Sequence, residues 1–178
     1  MNVAGIIEYY EKNRGWLGSK DRPRKIIPYL ANMGSVLDVG SGNGECFAAI
    51  QEANLPIIYT GIDCVPRHLT EAKERFPTLE WLLGEFLAYD FDSRTFDAVI
   101  SVQPFSTDGW QIEDISPFVD KMYRLATRKV VFLAQAWYDH VRAACSRYQV
   151  ETNDRMNLPT GEVLLVCLTK SSPAGGAA

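Results

Sequence analysis

Val36-Leu37-Asp38-Val39-Gly40-Ser41-Gly42-Asn43-Gly44 sets the architecture of this chain: an apolar run ends in a glycine loop and passes into a helical pattern starting near Glu45. In open α/β sheets a loop of this kind lies in the crevice at the carboxyl ends of the strands, where ligands bind. Glycine suits it because positive φ and close approach of backbone to a ligand both exclude a Cβ. Two details bear on the ligand. A dinucleotide fingerprint needs G-x-G-x-x-G, yet counting from Gly40 and Gly42 the sixth place is Glu45, an acid where a pyrophosphate would meet the helix N-terminus. Asp38, two residues before the first glycine, adds a second negative charge. Both features oppose a phosphate and suit a ligand with positive groups near the loop. No Gly-Lys-Ser or Gly-Lys-Thr follows, which excludes a phosphate-binding P-loop. A purely structural turn is the alternative.

Outward from the loop, short apolar runs alternate with helical periods. Ser35 to Val39, Ile57 to Ile62, Leu79 to Leu83, Phe96 to Val102 and Lys129 to Ala134 read as strands buried on both faces. Between them, Leu69, Ala72 and Phe76 follow a Pro66 suited to a first helical turn, and Ile115, Phe118, Val119, Met122, Leu125 and Ala126 form a second helical stripe. Trp137, Val141, Ala144, Cys145 and Tyr148 repeat the period. Such alternation implies right-handed crossovers onto a mostly parallel sheet with helices on both faces, an α/β doubly wound class. Near the end, Arg147 to Thr152 and Glu162 to Thr169 are two strand runs joined by a loop with Asn153, Asp154, Pro159 and Gly161, an expected antiparallel pair.

Before the first strand, Val3, Ile6, Ile7 and Tyr10 make one amphipathic stripe that Gly15 and Gly18 should end. A further helix is expected over Pro23 to Asn32, kinked or shortened by Pro28. The expected organisation is one domain over residues 1–170, with an N-terminal helical lid at 1–34 and a core at 35–170. Residues 171–178 (SSPAGGAA) are expected to be a disordered tail.

Length and composition agree with one domain: 178 residues, 47% hydrophobic, with a net charge of -4. No apolar stretch approaches the roughly 18 residues of a membrane span, and the start lacks the basic residues of a secretory signal, so a soluble, cytoplasmic protein is expected. Cys46, Cys64, Cys145 and Cys167 are far apart and show no paired spacing, which argues against a disulfide framework or a metal site. Charge is uneven. Residues 12 to 25 carry six basic residues against Asp21 alone, leaving a clearly acidic remainder. An acidic body repels bulk DNA or RNA, because nonspecific affinity depends on neutralising phosphates. The basic segment is either a solvated face or a lid that contacts an anion.

Asp63 lies 23 residues after Gly40, at the end of the second strand. A carboxylate there borders the same crevice and can accept hydrogen bonds from both hydroxyls of a ribose, or it can merely cap the helix that follows.

These residues bring the chain to a family. Over roughly residues 35 to 170 it resembles class I S-adenosylmethionine-dependent methyltransferases. The resemblance implies that Asp38, Gly40, Gly42 and Gly44 are the acidic residue and G-x-G-x-G loop that cradle the amino acid part of the cofactor, and that Asp63 holds its ribose. Gly84-Glu85-Phe86 occupies the place of the family's Gly-Asp and following residue beside the adenine, with Glu85 one methylene longer. Phe96-Asp97-Ala98-Val99-Ile100 matches the usual fourth strand. Ser41, Cys64 and Ser101 complete the cofactor set expected from this placement. The implied sheet order is 3-2-1-4-5-7-6 with strand 7 antiparallel, the implied cofactor S-adenosylmethionine, and the product S-adenosylhomocysteine.

Methyl transfer from a sulfonium is an in-line displacement, so alignment matters and a dedicated base is not obligatory. At the end of the fourth strand, Ser101-Val102-Gln103-Pro104-Phe105 shares only Pro104 and Phe105 with the Asn-Pro-Pro-Tyr or Asp-Pro-Pro-Phe pattern of enzymes that methylate amino groups of bases. That argues for a small-molecule acceptor at an O or N atom. The alternatives are a nucleic-acid or nucleotide methyltransferase, or a cofactor-binding protein without turnover. Gln103 orients a polar acceptor or caps the strand. Tyr9, Tyr10 and Trp16 cover the crevice or simply pack, and Trp110 is placed to close from the other side. His68 and His140 fall in helical patterns and read as surface residues, so no catalytic residue is assigned.

Overall fold

The computed structural model describes residues 2–13, 21–102, 104–105, 109–159 and 161–170. Trp16, Gln103, the glycines at 15 and 18, and the expected tail at 171–178 lie outside the described residues. Seven strands form one sheet in the order β3-β2-β1-β4-β5-β7-β6: β1 (Ser35–Val39), β2 (Ile58–Asp63), β3 (Glu80–Leu83), β4 (Phe96–Val102), β5 (Ala126–Ala134), β6 (Gln149–Leu158) and β7 (Gly161–Thr169). The pairs among β1 to β5 are parallel, whereas β7 runs antiparallel to β5 and to β6. The expected class and order are therefore observed.

Helices α1 (Val3–Lys12), α2 (Asp21–Ile26), α3 (Glu45–Glu52), α4 (Pro66–Arg75), α5 (Ile112–Leu125) and α6 (Tyr138–Cys145) complete the fold. Alternation of side chains along β1 divides the core in two. Leu37 and Val39 join Ile115, Phe118 and Met122 of α5 and Val141 of α6 in one cluster. Val36 joins Ile26 of α2, Cys46 and Ile50 of α3, and Leu69 and Ala72 of α4 in the other. Each fully buried side chain of this size contributes about 1.5 to 3 kcal/mol, so the central strands are fixed from both faces.

Several expected boundaries move. The helix expected over Pro23 to Asn32 ends at Ile26 and continues as one tight 3-10 turn, Ile27–Leu30. Pro28 is the reason, since it lacks the N–H of a continued α-helix. Ile26 and Leu30 are fully buried, so this part of the expected lid belongs to the core, whereas α1 buries Ile6 alone. Ala126 leaves the expected helical stripe and opens β5, which starts three residues before Lys129. Asn153 and Asp154 are not loop residues: β6 carries them in register with Val166 and Leu165 as far as Leu158. Their polarity reflects a solvent-facing outer strand, where pairing with the apolar β7 overrides turn preference.

Candidate active site

The glycine loop is held by backbone before any side chain acts. The N–H groups of Gly40 and Ser41 donate to the Ile62 carbonyl at 2.9 and 3.0 Å, tying the end of β1 to that of β2. Gly40, Gly42 and Gly44 all have positive φ, at 72°, 55° and 89°. A Cβ added at Gly40 or Gly42 would meet nothing within 4 Å. The face above these two is open, which is the cradle a ligand's amino acid moiety needs. Gly44 differs, because a Cβ there would lie 3.0 Å from Phe76 and Trp81, so packing beneath the loop accounts for it.

Asp63 is 7% exposed and stands at the junction of the loop and α4. Its Oδ2 accepts from the Gly42 N–H and its Oδ1 from the Val65 N–H, each at 2.8 Å. Of the two alternatives from sequence, the cap is not observed, since α4 has Val65 as N-cap with no side-chain hydrogen bond; two backbone donors fix the Asp63 carboxylate beside the glycine loop, and its remaining lone pairs stay available. Cys64 beside it has its thiol pushed up to about 12, by burial first and by Asp63 second. Gly84 follows β3 and donates to the Asp63 carbonyl at 3.0 Å; a Cβ on it would come within 2.6 Å of the Tyr89 ring. Glu85 is half-buried in the same turn, with its carbonyl accepting from Ala88 and Tyr89. Phe86 is turned into the core, where its ring meets Phe118 and Phe91 edge-on at 5.1 and 6.0 Å. Ser101 is buried and donates to the Val39 carbonyl at 2.7 Å, joining the ends of β4 and β1.

Asp38 and Glu45 do not present bare charge to the crevice. Asp38 is fully buried, with Oδ2 accepting from the Tyr59 hydroxyl at 2.5 Å and Oδ1 without a partner. Burial raises its carboxyl to about 6, against opposing hydrogen bonds from Tyr59 and Cys46. Glu45 pairs with Arg75 at 2.8 Å, and the same guanidinium nitrogen donates to the Asn43 carbonyl at 2.8 Å. Ser41 Oγ, buried without a partner, is a second orphaned polar atom of the loop.

Helix α1 spans the top. On one side the Asn2 N–H donates to the Gly109 carbonyl at 2.6 Å; on the other Arg67 of α4 donates to the Tyr10 carbonyl at 2.9 Å. Tyr10 meets the His68 ring at 4.8 Å, and burial together with Asp63 raises its phenol above the ordinary value. Tyr10 therefore belongs with Asp63 and Cys64, while half-buried Tyr9 packs edge-on against it at 5.3 Å. Trp110 lies across the crevice after β4, stacked edge-on with Phe105 and Phe118 at 4.8 and 5.2 Å. Phe105 and Trp137, which follow β4 and β5, have the positive φ values of 64° and 52°, uncommon for aromatic residues and concentrated in nature at functional turns.

Two residues escaped the sequence reading. His68 is not on the surface: it is 9% exposed, with Nδ1 3.6 Å from Asp63 Oδ1. Its position, two residues after Pro66 in the first turn of α4, carried that signal. Lys121 of α5 is equally buried, and its Nζ donates to the carbonyls of Leu87 and Tyr89 at 2.9 and 2.6 Å, fixing the turn that contains Gly84 to Phe86. Nothing in the local pattern distinguished it from an exposed helix lysine. Among the described residues no cluster of three His, Cys, Asp or Glu is arranged to hold a metal ion, and no helix is long and apolar enough to cross a membrane.

A family profile described as methyltransferase domain matches residues 36–129, from β1 into β5. The chain belongs to this family, the class I S-adenosylmethionine-dependent methyltransferases, and its cofactor is S-adenosylmethionine. Similar solved structures agree in fold. Magnesium protoporphyrin IX methyltransferase from Synechocystis PCC 6803 with bound SAM is 12% identical with a TM-score of 0.76, over 95% of this chain and 97% of that one. A TehB-like SAM-dependent methyltransferase from Corynebacterium glutamicum is 16% identical with a TM-score of 0.66, over 95% and 98%. Streptomyces venezuelae DesVI is 15% identical with a TM-score of 0.66, over 96% and 99%. No curated protein sequence matches the chain.

Proposed function

We propose that the protein transfers the methyl group of S-adenosylmethionine to an O or N atom of a small-molecule acceptor. The observation that carries this reading is a bridge: the chain's own helix α1 is tied at its start to Gly109, in the loop after β4, and near its end to Arg67 of α4, after β2. A crevice bridged in that way suits a small acceptor better than a duplex or a folded RNA. The acidic balance of the chain, -4 overall, points the same way, since phosphate contacts drive nonspecific nucleic-acid binding. A similar fold of similar length serves a porphyrin substrate in the Synechocystis protein.

In this reading the open faces of Gly40 and Gly42 receive the amino acid part of the cofactor, with Ser41 and Asp38 behind them. Asp63 accepts the ribose hydroxyls, and the Gly84–Glu85 turn, held by Lys121, borders the adenine. The cofactor supplies the electrophilic methyl group. The protein's part is alignment: Trp110, packed on the buried Phe105, and Trp137 form an apolar rim that keeps water from competing with the acceptor and holds its nucleophile in line. Proton loss from the acceptor needs no dedicated base when the nucleophile is an amine or an acidic hydroxyl. The test is transfer of isotopically labelled methyl groups to a panel of phenols, carboxylic acids and amines, run beside total RNA. Label in a small molecule is expected. Label in RNA alone, with RNA binding that weakens steeply with salt, overturns the reading, as does the absence of any transfer from bound cofactor.

A further inference from the structure

His68 has no part in the sequence motifs of the cofactor site, yet it is placed where that site is least complete. It occupies the third position of α4, behind Val65 as N-cap and Pro66 at the first position. The residue is 9% exposed, and its Nδ1 is buried without a hydrogen-bond partner. The nearest charged atom is Asp63 Oδ1 at 3.6 Å, too far for a direct hydrogen bond. From α1 the ring of Tyr10 packs on it at 4.8 Å. On its own helix, Arg67 and Glu71 are paired with each other at 2.9 Å, and Arg67 also reaches Glu11 at 3.7 Å, so neither charge answers the imidazole.

A buried imidazole nitrogen left unpaired is costly, and such groups in native proteins usually mark a missing partner. That partner must satisfy two atoms at once. Asp63 Oδ1 already accepts from Val65 and needs a further donor; Nδ1, when protonated, needs an acceptor. Among ligand groups a hydroxyl does both, because its oxygen accepts from one neighbour while its hydrogen is donated to the other. An ammonium has no acceptor to offer, and an apolar group has neither. We infer that His68 is a ribose-binding residue: its Nδ1–H and Asp63 Oδ1 share one hydroxyl of the cofactor's ribose. This rests on the reading of Asp63 as the ribose acceptor. It also assigns a function to the contact between Tyr10 and His68: α1 covers the hydroxyl once it is seated.

Calorimetry with S-adenosylhomocysteine and its 2′-deoxy and 3′-deoxy analogues tests it on the whole chain. His68→Phe keeps a ring against Tyr10 and removes both nitrogens. It should weaken S-adenosylhomocysteine binding about 10-fold, the scale of one hydrogen bond to a charged pair, and weaken one of the two deoxy analogues hardly at all. His68→Asn, whose amide nitrogen falls near the place of Nδ1, should recover most of the loss, and His68→Gln should not. Equal losses for all three ligands, no loss, or equal rescue by the two amides overturns the inference. Should His68→Phe not fold, the comparison of the two amides carries the test alone. If Asp63→Ala and the deoxy analogues show no effect in the parent protein, the ribose reading of Asp63 fails with it. If they do and His68→Phe leaves them unchanged, only the role of His68 fails.

Discussion

The two halves of the crevice are built by different means. On the cofactor side, backbone does most of the work: Gly40, Ser41, Gly42 and Gly84 are bonded to the end of β2, and Asp63 accepts from two main-chain amides. On the side proposed for the acceptor, the segments after β4 and β5 carry Phe105, Trp110 and Trp137, held by ring packing and by unusual backbone angles. Backbone-built sites tolerate little change in sequence, because each residue type is chosen for its φ or for a single hydrogen bond. Sites built by packing admit many aromatic or apolar choices. In the reading proposed above, the first half holds the cofactor and the second distinguishes acceptors.

Asp63→Ala should produce the largest effect, and it tests whether the cofactor half depends on one carboxylate. Loss of two hydrogen bonds to a charged group, at about 1.5 to 3 kcal/mol each, predicts a cofactor Kd raised more than 100-fold. Unlike a surface cap, this carboxylate also satisfies the N–H groups of Gly42 and Val65, so a drop in stability of about 2 kcal/mol or more should accompany it. Calorimetric affinity and a denaturant titration read the two quantities separately. Unchanged affinity would leave Asp63 only as the brace of the Gly42 and Val65 amides.

Next in size are two glycine substitutions that separate fold from ligand. Gly61 faces Trp81, and a Cβ there would lie 2.5 Å from the indole, so Gly61→Ala should cost about 1 to 3 kcal/mol of stability through overpacking. Gly42→Ala meets no neighbour; it should cost only about 1 kcal/mol for the left-handed backbone, while its Cβ intrudes on the cofactor. The expected pattern is a cofactor Kd changed more by Gly42→Ala and a melting point changed more by Gly61→Ala. The reverse pattern would place the ligand elsewhere.

Legibility follows the same division. The loop, Asp63 and the strand order were readable because Val36 to Gly44 and Tyr59 to Asp63 put chemistry into contiguous residues. His68 and Lys121 were not read, since one is defined by the turn of α4 toward Asp63 and the other by carbonyls more than thirty residues away. Asn153 and Asp154 look like turn residues, and only pairing with β7 makes them a strand. The charge argument drawn from Asp38 and Glu45 selected the right cofactor for a reason the structure revises, as one is buried with a raised pKa and the other is paired with Arg75.

That revision makes a smaller, pH-dependent prediction. Asp38 has a carboxyl raised to about 6 in the folded protein, above the ordinary 3.8. A raised acid binds its proton more tightly in the native state, so the cost of ionising it is absent below about pH 4, grows between the two values, and is fully present above about pH 6. Asp38→Asn should therefore stabilise the protein at pH 8, by at most about 3 kcal/mol, and make little difference at pH 4. Denaturant midpoints of the two proteins across that range give the comparison. Stabilisation by a residue that weakens cofactor binding would mark Asp38 as strain kept for function; an equal difference at both pH values would remove burial as its cause.

The smallest effect concerns α1, which joins the two halves. Of its stripe of Val3, Ile6, Ile7 and Tyr10, only Ile6 is buried, so docking gains at most about 1.5 to 3 kcal/mol from that side chain and less from the other three. Ordering ten residues costs about 1 to 2 kcal/mol for each. With one buried side chain and two links, to Gly109 and Arg67, to offset that cost, we propose that α1 is a lid whose closure a bound cofactor favours. Hydrogen exchange over residues 3–12 should slow about 10-fold when S-adenosylhomocysteine is added, equivalent to about 1.4 kcal/mol. Gly109→Ala, whose Cβ would lie 2.7 Å from the Asn2 carbonyl, should speed exchange of the same residues without ligand and leave β1 and β4 protected. Strong and equal protection with and without cofactor would make α1 a permanent part of the fold, and acceptor entry would then need a path that avoids it.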